Sequence, residues 1–228
     1  MDARMPLPPT VAHRPRCRAT GWHQGFPRWA AAVVLLGAAG CAQLPARPVP
    51  PPATAGQALV VFDIDGTLTP AVAAVFQVRP DAAAAVRAYA DKGYRIVYLS
   101  TRSGWLSGPL PGWLHRHGFP DGTVHVAQRA AERRDPAAYK TRMLQAYRER
   151  GWRIAYAYGD SSTDLAAYAA AGVPTAAVFA LRRRGQPACQ PGPAAGCLPG
   201  WSDHLAFIAG VPAAQARTAA PGARSGHP

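Results

Sequence analysis

Short, largely apolar runs separated by helix-length stretches constrain this chain more than any other feature. Ala58-Leu59-Val60-Val61-Phe62, Tyr94 to Leu99 and Trp152 to Tyr158 are nearly continuous rather than alternating in character. A strand reads this way when both of its faces are covered, as in a parallel sheet. Weaker strands are expected at Thr123 to Ala127 and Thr175 to Leu181. Between them, Arg79 to Lys92 reads as a helix with Pro80 at its start and Gly93 at its end. Further helices are expected from about Pro111 to His117, from Pro136 to Arg150 before Gly151, and from Ser162 to Ala171. Strands alternating with helices define an α/β domain built on a doubly wound parallel sheet. Ligands of such sheets bind beyond the carboxyl ends of the strands. The chemistry is therefore expected in the residues that follow each apolar run.

Those residues are informative. After the first run stands Asp63-Ile64-Asp65-Gly66-Thr67-Leu68-Thr69, two carboxylates two apart with a glycine that permits a tight turn. Ser100-Thr101-Arg102 follows the second run, and Gly159-Asp160-Ser161-Ser162-Thr163-Asp164 follows the fourth. Lys140 lies within the helix that begins near Pro136. Carboxylate oxygens at two strand ends suit Mg²⁺, a hard cation. A carboxylate can also act as a nucleophile through an aspartyl-phosphate, with cations offsetting charge on the transferring group. The set is thus suited to Mg²⁺-assisted phosphoryl transfer. Each residue also has a plainer reading: Asp63 and Asp65 as turn caps, Lys140 as a solvated helix residue, and Asp164 as a helix N-terminal stabiliser.

In these motifs and their order the chain resembles phosphatases of the haloacid dehalogenase-like superfamily over about residues 58 to 181. The resemblance implies that Asp63 is the nucleophile and Asp65 the general acid/base. It assigns Ser100 to the phosphoryl oxygen, with Thr101 as competitor and Arg102 nearby, and Lys140 to charge neutralisation. Mg²⁺ would be held by Asp63, the backbone carbonyl of Asp65 and Asp160, with Asp164 in support. Gly93-Tyr94-Arg95-Ile96-Val97-Tyr98-Leu99-Ser100, Pro136-Ala137-Ala138-Tyr139-Lys140 and Ala155-Tyr156-Ala157-Tyr158-Gly159-Asp160 are most similar to the lipin catalytic domain and its bacterial relatives. Lipins act on phosphatidic acid. The chain departs from animal lipins at Gly159-Asp160, where they carry Gly-Asn, and at Ser103-Gly104-Trp105-Leu106.

The intervals from Asp65 to Ser100 and from Ser100 to Lys140 are already filled by expected helices and strands. Neither leaves room for a sizeable cap domain, so the site is expected to be open to bulky substrates. Trp105, Leu106, Leu110, Trp113 and Leu114 are candidates for an apolar lip beside it. Three functions follow: a phosphatase acting on a phospholipid head group, a phosphatase acting on soluble nucleotides or phosphosugars, and a non-catalytic phospholipid-binding module. Asp65 argues against the third, since loss of the acid/base is the mark expected of a binding-only form.

The ends of the chain bear on location. An arginine-rich leader precedes Ala30 to Gly40, which is uncharged and too short to span a bilayer as a helix. Small residues ahead of Cys41 resemble a bacterial lipoprotein signal, which implies removal of residues 1–40 and lipidation of Cys41. Residues 41–56 then read as a Pro-rich tether, extended at about 3.1 Å per residue. Residues 57–212 form the folded unit and 213–228 a disordered tail. Cys189 and Cys197 bracket a Pro/Gly-rich loop and read as a disulfide, worth roughly 2.5 kcal/mol in the chain-entropy model. Without a nearby His, zinc is a poor alternative for the pair. The expected place is the periplasmic side of a bacterial membrane, with Ala42 resembling lipoproteins sent to the outer membrane; a cytoplasmic protein with a buried apolar helix is the alternative. The net charge of +13 raises nucleic acid as a partner, but the positive load is nearly all arginine spread along the chain, which argues against it. Feeding cells a fatty-acid analogue should label the wild-type chain and leave Cys41→Ser unlabelled; an unlabelled wild type with an intact N-terminus would remove the lipoprotein reading.

Overall fold

The computed structural model describes residues 43–214. The expected signal segment, Cys41 and the tail from residue 215 onward lie outside them. Six parallel strands form one sheet in the order β3-β2-β1-β4-β5-β6. They are β1 (Ala58–Asp63), β2 (Arg95–Ser100), β3 (Thr123–Val126), β4 (Arg153–Gly159), β5 (Val178–Leu181) and β6 (Gly196–Leu198). The helices are α1 (Ala82–Asp91), α2 (Gly104–Ser107), α3 (Leu110–Arg116), α4 (Ala130–Arg134), α5 (Pro136–Glu149), α6 (Ser162–Ala170) and α7 (Leu205–Gly210). This is the expected α/β architecture. The order reverses between β1 and β4, so the crevice at their carboxyl ends is where such a sheet binds ligands.

The side-chain alternation of β1 builds two cores at once. Val60 and Phe62 face one layer with α1, α3 and α7, through Tyr89, Trp113 and Ile208. Leu59 and Val61 face the other, with Leu144 and Tyr147 of α5 and Tyr168 of α6. Successive residues of a strand point to opposite faces, so an unbroken apolar run is what a doubly covered strand requires. Every residue of β1 is buried.

Several elements differ from expectation. The first long helix begins at Ala82 rather than Arg79, because Asp81 before it adopts a left-handed backbone with φ 59; the Arg79 side chain turns inward and is buried among loop carbonyls. The expected strand from Thr175 starts with a 3-10 turn, Thr175–Ala177, before β5. The elements α2, α4, β6 and α7 are additions to those expected. Cys189 and Cys197 are joined by a disulfide, and Cys197 lies within β6, pairing alongside β5.

The Pro-rich segment is not a free spacer over its described part. Leu44 N donates to Ser107 Oγ at 3.0 Å, and the Gln128 side chain donates to Leu44 O at 3.1 Å. Leu44 joins the first core and Val49 the second. Further along, Trp152 Nε1 donates to Pro50 O at 2.8 Å. Proline suits such a strap, since it gives up one backbone donor and extends without internal hydrogen bonds. Among the described residues no helix is long and apolar enough to cross a membrane.

Burial also sets a pH dependence of stability. His125 on β3 is buried against Tyr147, its Nε2 2.8 Å from the hydroxyl, and burial pushes its pKa down from 6.5 to about 4. Between those values the unfolded chain takes up a proton that the folded one refuses, so stability falls as pH falls through this window. Urea denaturation at pH 7 and pH 5 should show a smaller loss in His125→Phe than in wild type. His204, also pushed down to about 4, retains part of the effect.

Candidate active site

The site forms where β1, β2 and β4 end. Beyond Asp63 the chain must turn at once: Thr69 N and Leu68 N both donate to Ile64 O, and Gly66 N donates to Thr69 Oγ1 at 2.8 Å. Gly66 adopts φ +92, and a β-carbon there would collide with the Asp160 carboxylate. Glycine is required on both counts. The turn is pinned from outside by Arg79, whose Nη2 donates to Gly66 O at 2.6 Å and whose Nη1 donates to Arg182 O at 3.0 Å.

Asp63, Asp160 and Asp164 converge, each offering an oxygen within 4.8 Å of the others, and all three are buried. Lys140 reaches them from α5, which Asp135 caps by accepting from Ala138 N. Its Nζ donates to Asp63 Oδ1 at 2.5 Å and also to Asp164 Oδ1. The plainer reading of Lys140 as a solvated helix residue therefore does not hold. Asp164 stabilises the start of α6, one of the two roles the sequence left open, while its Oδ1 faces the carboxylate cluster. Its Oδ2 accepts from Ser161 Oγ at 2.7 Å and from the backbone N of Ser161 and Asp160, closing a capping box on α6.

Charge is not balanced within this group. Three carboxylates face two cations, Lys140 and Arg183, whose Nε donates to Asp160 Oδ2. Burial drives the Asp63 pKa well above the ordinary carboxylate value, against the pull of Lys140. Burial and the Asp164 charge push Asp160 up to about 6, against Arg183. Burial would raise Asp164 too, but Lys140 and the Ser161 hydrogen bonds hold it below the ordinary value. Lys140 is kept charged, its two carboxylate partners outweighing its desolvation. Asp63 Oδ2 is buried without a hydrogen-bond partner. An orphaned carboxylate oxygen among clustered acids is what a divalent cation with hard oxygen ligands satisfies. The donor set fits Mg²⁺.

Asp65 stands at the mouth with both oxygens engaged. Ser100 Oγ donates to Oδ2 at 2.8 Å, while Arg102 Nη2 and Nε donate to Oδ1 at 2.6 and 3.0 Å. Arg102 is buried, lies against the Phe76 ring and leaves Nη1 without a partner. Ser100 is fully buried, and Thr101 lines the cleft of about 190 Å³ shared by Asp63, Asp65, Lys140, Asp160 and Asp164. Larger hollows at the opposite ends of the strands, including one of about 480 Å³ beside Trp152 and Ile154, hold none of these groups.

The expected apolar lip is corrected. Leu110, Trp113 and Leu114 are buried in the core, because α3 turns its apolar face onto the sheet. Trp105 is exposed, and Val72 joins it in lining or flanking the cleft. Arg79 and Arg183 were missed. Nothing in the sequence marks Arg79, but Arg183 lies two residues past the end of β5 and was legible by the same rule that found the other strand ends.

An α/β domain with a carboxylate–lysine cluster at the switch of its parallel sheet and no inserted cap among the described residues is the class that fold and site define. Residues 60–182 match the family described as PITM 1-3, LNS2 domain, and the chain belongs to that family. It is 31% identical over 132 residues to human membrane-associated phosphatidylinositol transfer protein 3, covering 56% of this chain and 13% of that protein. Rat membrane-associated phosphatidylinositol transfer protein 1 is 34% identical over 132 residues, covering 56% and 10%. Protein retinal degeneration B of Drosophila melanogaster is 30% identical over 131 residues, again covering 56% and 10%. The match thus spans about an eighth or less of these relatives' length. Among solved structures, a heptose bisphosphate phosphatase from B. bronchiseptica, complexed with magnesium and phosphate, aligns with a TM-score of 0.48 at 18% identity, covering 66% of this chain and 98% of that one.

The fit for a cation has a direct check. Adding MgCl₂ to metal-stripped protein should raise the thermal midpoint of wild type, and the rise should vanish in Asp160→Asn. A wild type indifferent to Mg²⁺ across millimolar concentrations would count against the site.

Proposed function

We propose that this domain is a Mg²⁺-dependent phosphomonoester hydrolase that works through Asp63, and that a phospholipid head group such as phosphatidic acid is its preferred substrate. The observation that carries the reading is Asp65: a second carboxylate lines the same cleft as the buried Asp63–Lys140 pair. A carboxylate so placed can pass a proton to a leaving oxygen, which phosphate binding alone does not require. The relatives' names as phosphatidylinositol transfer proteins, and a cleft that no inserted domain covers among the described residues, favour a lipid over a small soluble phosphate. The further reading is that the protein is exported and held at the membrane through Cys41.

Bound by Asp63, the Asp65 carbonyl and Asp160, Mg²⁺ would offset charge on the transferring group and orient it. Lys140 aligns Asp63 through Oδ1 and, with the cation, would offset the burial that disfavours the ionised nucleophile, and its charge would also offset that on the phosphoryl oxygens. The Asp63 carboxylate attacks phosphorus, the ester bond breaks, and the leaving oxygen takes a proton from Asp65. Asp65 then removes a proton from water, which attacks the aspartyl-phosphate and restores Asp63. Before the first step Asp65 must gain a proton, yet both of its oxygens accept from Ser100 and Arg102. A phosphoryl group drawing Ser100 or Arg102 onto its own oxygens frees Asp65, which ties release of the acid to arrival of substrate.

The same ion pair favours a second reading. In a domain that only binds phospholipid, Asp65 serves to hold Arg102 in place for the head group. Hydrolysis of an aryl phosphate, and of phosphatidic acid in detergent, separates the two. The enzyme reading expects release of phosphate that requires Mg²⁺ and falls at least about a hundredfold in Asp63→Asn. No release from either substrate, with Mg²⁺ bound, leaves the binding reading.

A further inference from the structure

The face that carries the cleft is unlike the rest of the surface. Among the described residues, four large apolar side chains are substantially exposed, and three of them surround this site: Trp105 at 64%, Val72 at 47% and Phe76 at 44%. Val72 lines the cleft itself, and Phe76 backs Arg102. Trp105 sits on α2, directly after the loop that supplies Thr101 and Arg102. They stand on two segments, residues 70–78 and 103–107, and neither segment covers the other's exposed side chains. Beside them, Arg184 is exposed, and its backbone N donates to Pro70 O, which sets its cationic side chain next to the apolar loop.

The entry point of the chain lies on this face as well. Gln43 Nε2 donates to Gln128 O at 3.1 Å and to Gln128 Oε1 at 3.0 Å, just past the end of β3. Gln43 also packs against Gly104, where a β-carbon would meet its side-chain amide. Gln43 is preceded by 42 residues, including the uncharged run Ala30 to Gly40.

We propose that the rim formed by Val72, Phe76, Trp105 and Arg184 is a docking surface for an anionic lipid bilayer, with the cleft opening toward the head groups. Tryptophan belongs at such an interface because its ring is apolar and its N–H is wet. Arginines next to apolar side chains add attraction to acidic lipid. The inference deepens the proposed phosphatase reading by naming how the domain meets a lipid substrate, but the surface stands on its own observations.

The test uses the full chain carrying Asp63→Asn, so that hydrolysis plays no part, mixed with vesicles of phosphatidylcholine alone or with phosphatidylglycerol. Bromine atoms high on the acyl chains quench tryptophans that reach the interface. Quenching in the parent protein should exceed that in a Trp105→Phe version, with the other tryptophans common to both. Partition onto phosphatidylglycerol vesicles should fall about fivefold in Arg184→Gln, with little change on phosphatidylcholine. Equal quenching with and without Trp105 would overturn the docking surface, whether the rim meets a protein partner or only solvent. An active wild type with no Trp105-dependent quenching sinks this inference and leaves the phosphatase standing. Quenching in a protein with no phosphatase activity does the reverse.

Discussion

A single buried ammonium organises this domain. Lys140 lies between Asp63 at the end of β1 and Asp164 on α6, all three nearly sealed from water. Without that charge two carboxylates would face each other across the switch of the sheet, and removing one partner of a buried ion pair typically costs about 3–5 kcal/mol. The pair also sets the geometry. It draws α5 against the strand ends, and through Asp164 it fixes the start of α6 and the position of Asp160. The remaining imbalance, with Asp63 Oδ2 unpaired and Asp160 leaning on Arg183, is what a further cation would relieve.

Much of this was legible because two periodicities and a rule about strand ends do most of the placing. Asp63, Asp65, Ser100 and Asp160 each follow a run too apolar to be anything but a doubly covered strand. Lys140 was legible only as part of a motif, since a lysine on a helix is ordinarily solvated. What escaped depended on tertiary context. The apolar residues of α3 read as a lip, but a helix shows its apolar stripe equally whether that stripe meets lipid or a sheet, and here it meets Tyr98 and Phe119 in the core. Arg79 reads as the start of a helix, and nothing local reveals that its guanidinium turns back to hold Gly66.

In the proposed mechanism Asp65 would serve catalysis and recognition in one arrangement. Its partners, Ser100 and Arg102, are also the groups suited to a phosphoryl oxygen, so acid and ligand would compete for the same donors. On that reading the site stays closed to water chemistry until an anion draws those donors away. The nearby Phe76 ring limits where the guanidinium can go.

The strap between Gln43 and Pro50 has a mechanical consequence. A pull on the chain from its N-terminal side first loads the amide contacts between Gln43 and Gln128 and the bond from Leu44 N to Ser107. Ser107 closes α2, whose other end adjoins Arg102. Tension from that side is thus delivered next to Arg102, which clamps Asp65, while the buried side chains of Leu44 and Val49 and the bond from Trp152 to Pro50 shield the opposite edge of the sheet. A pull on this strap arrives at the loop beside the carboxylate cluster before it reaches the sheet.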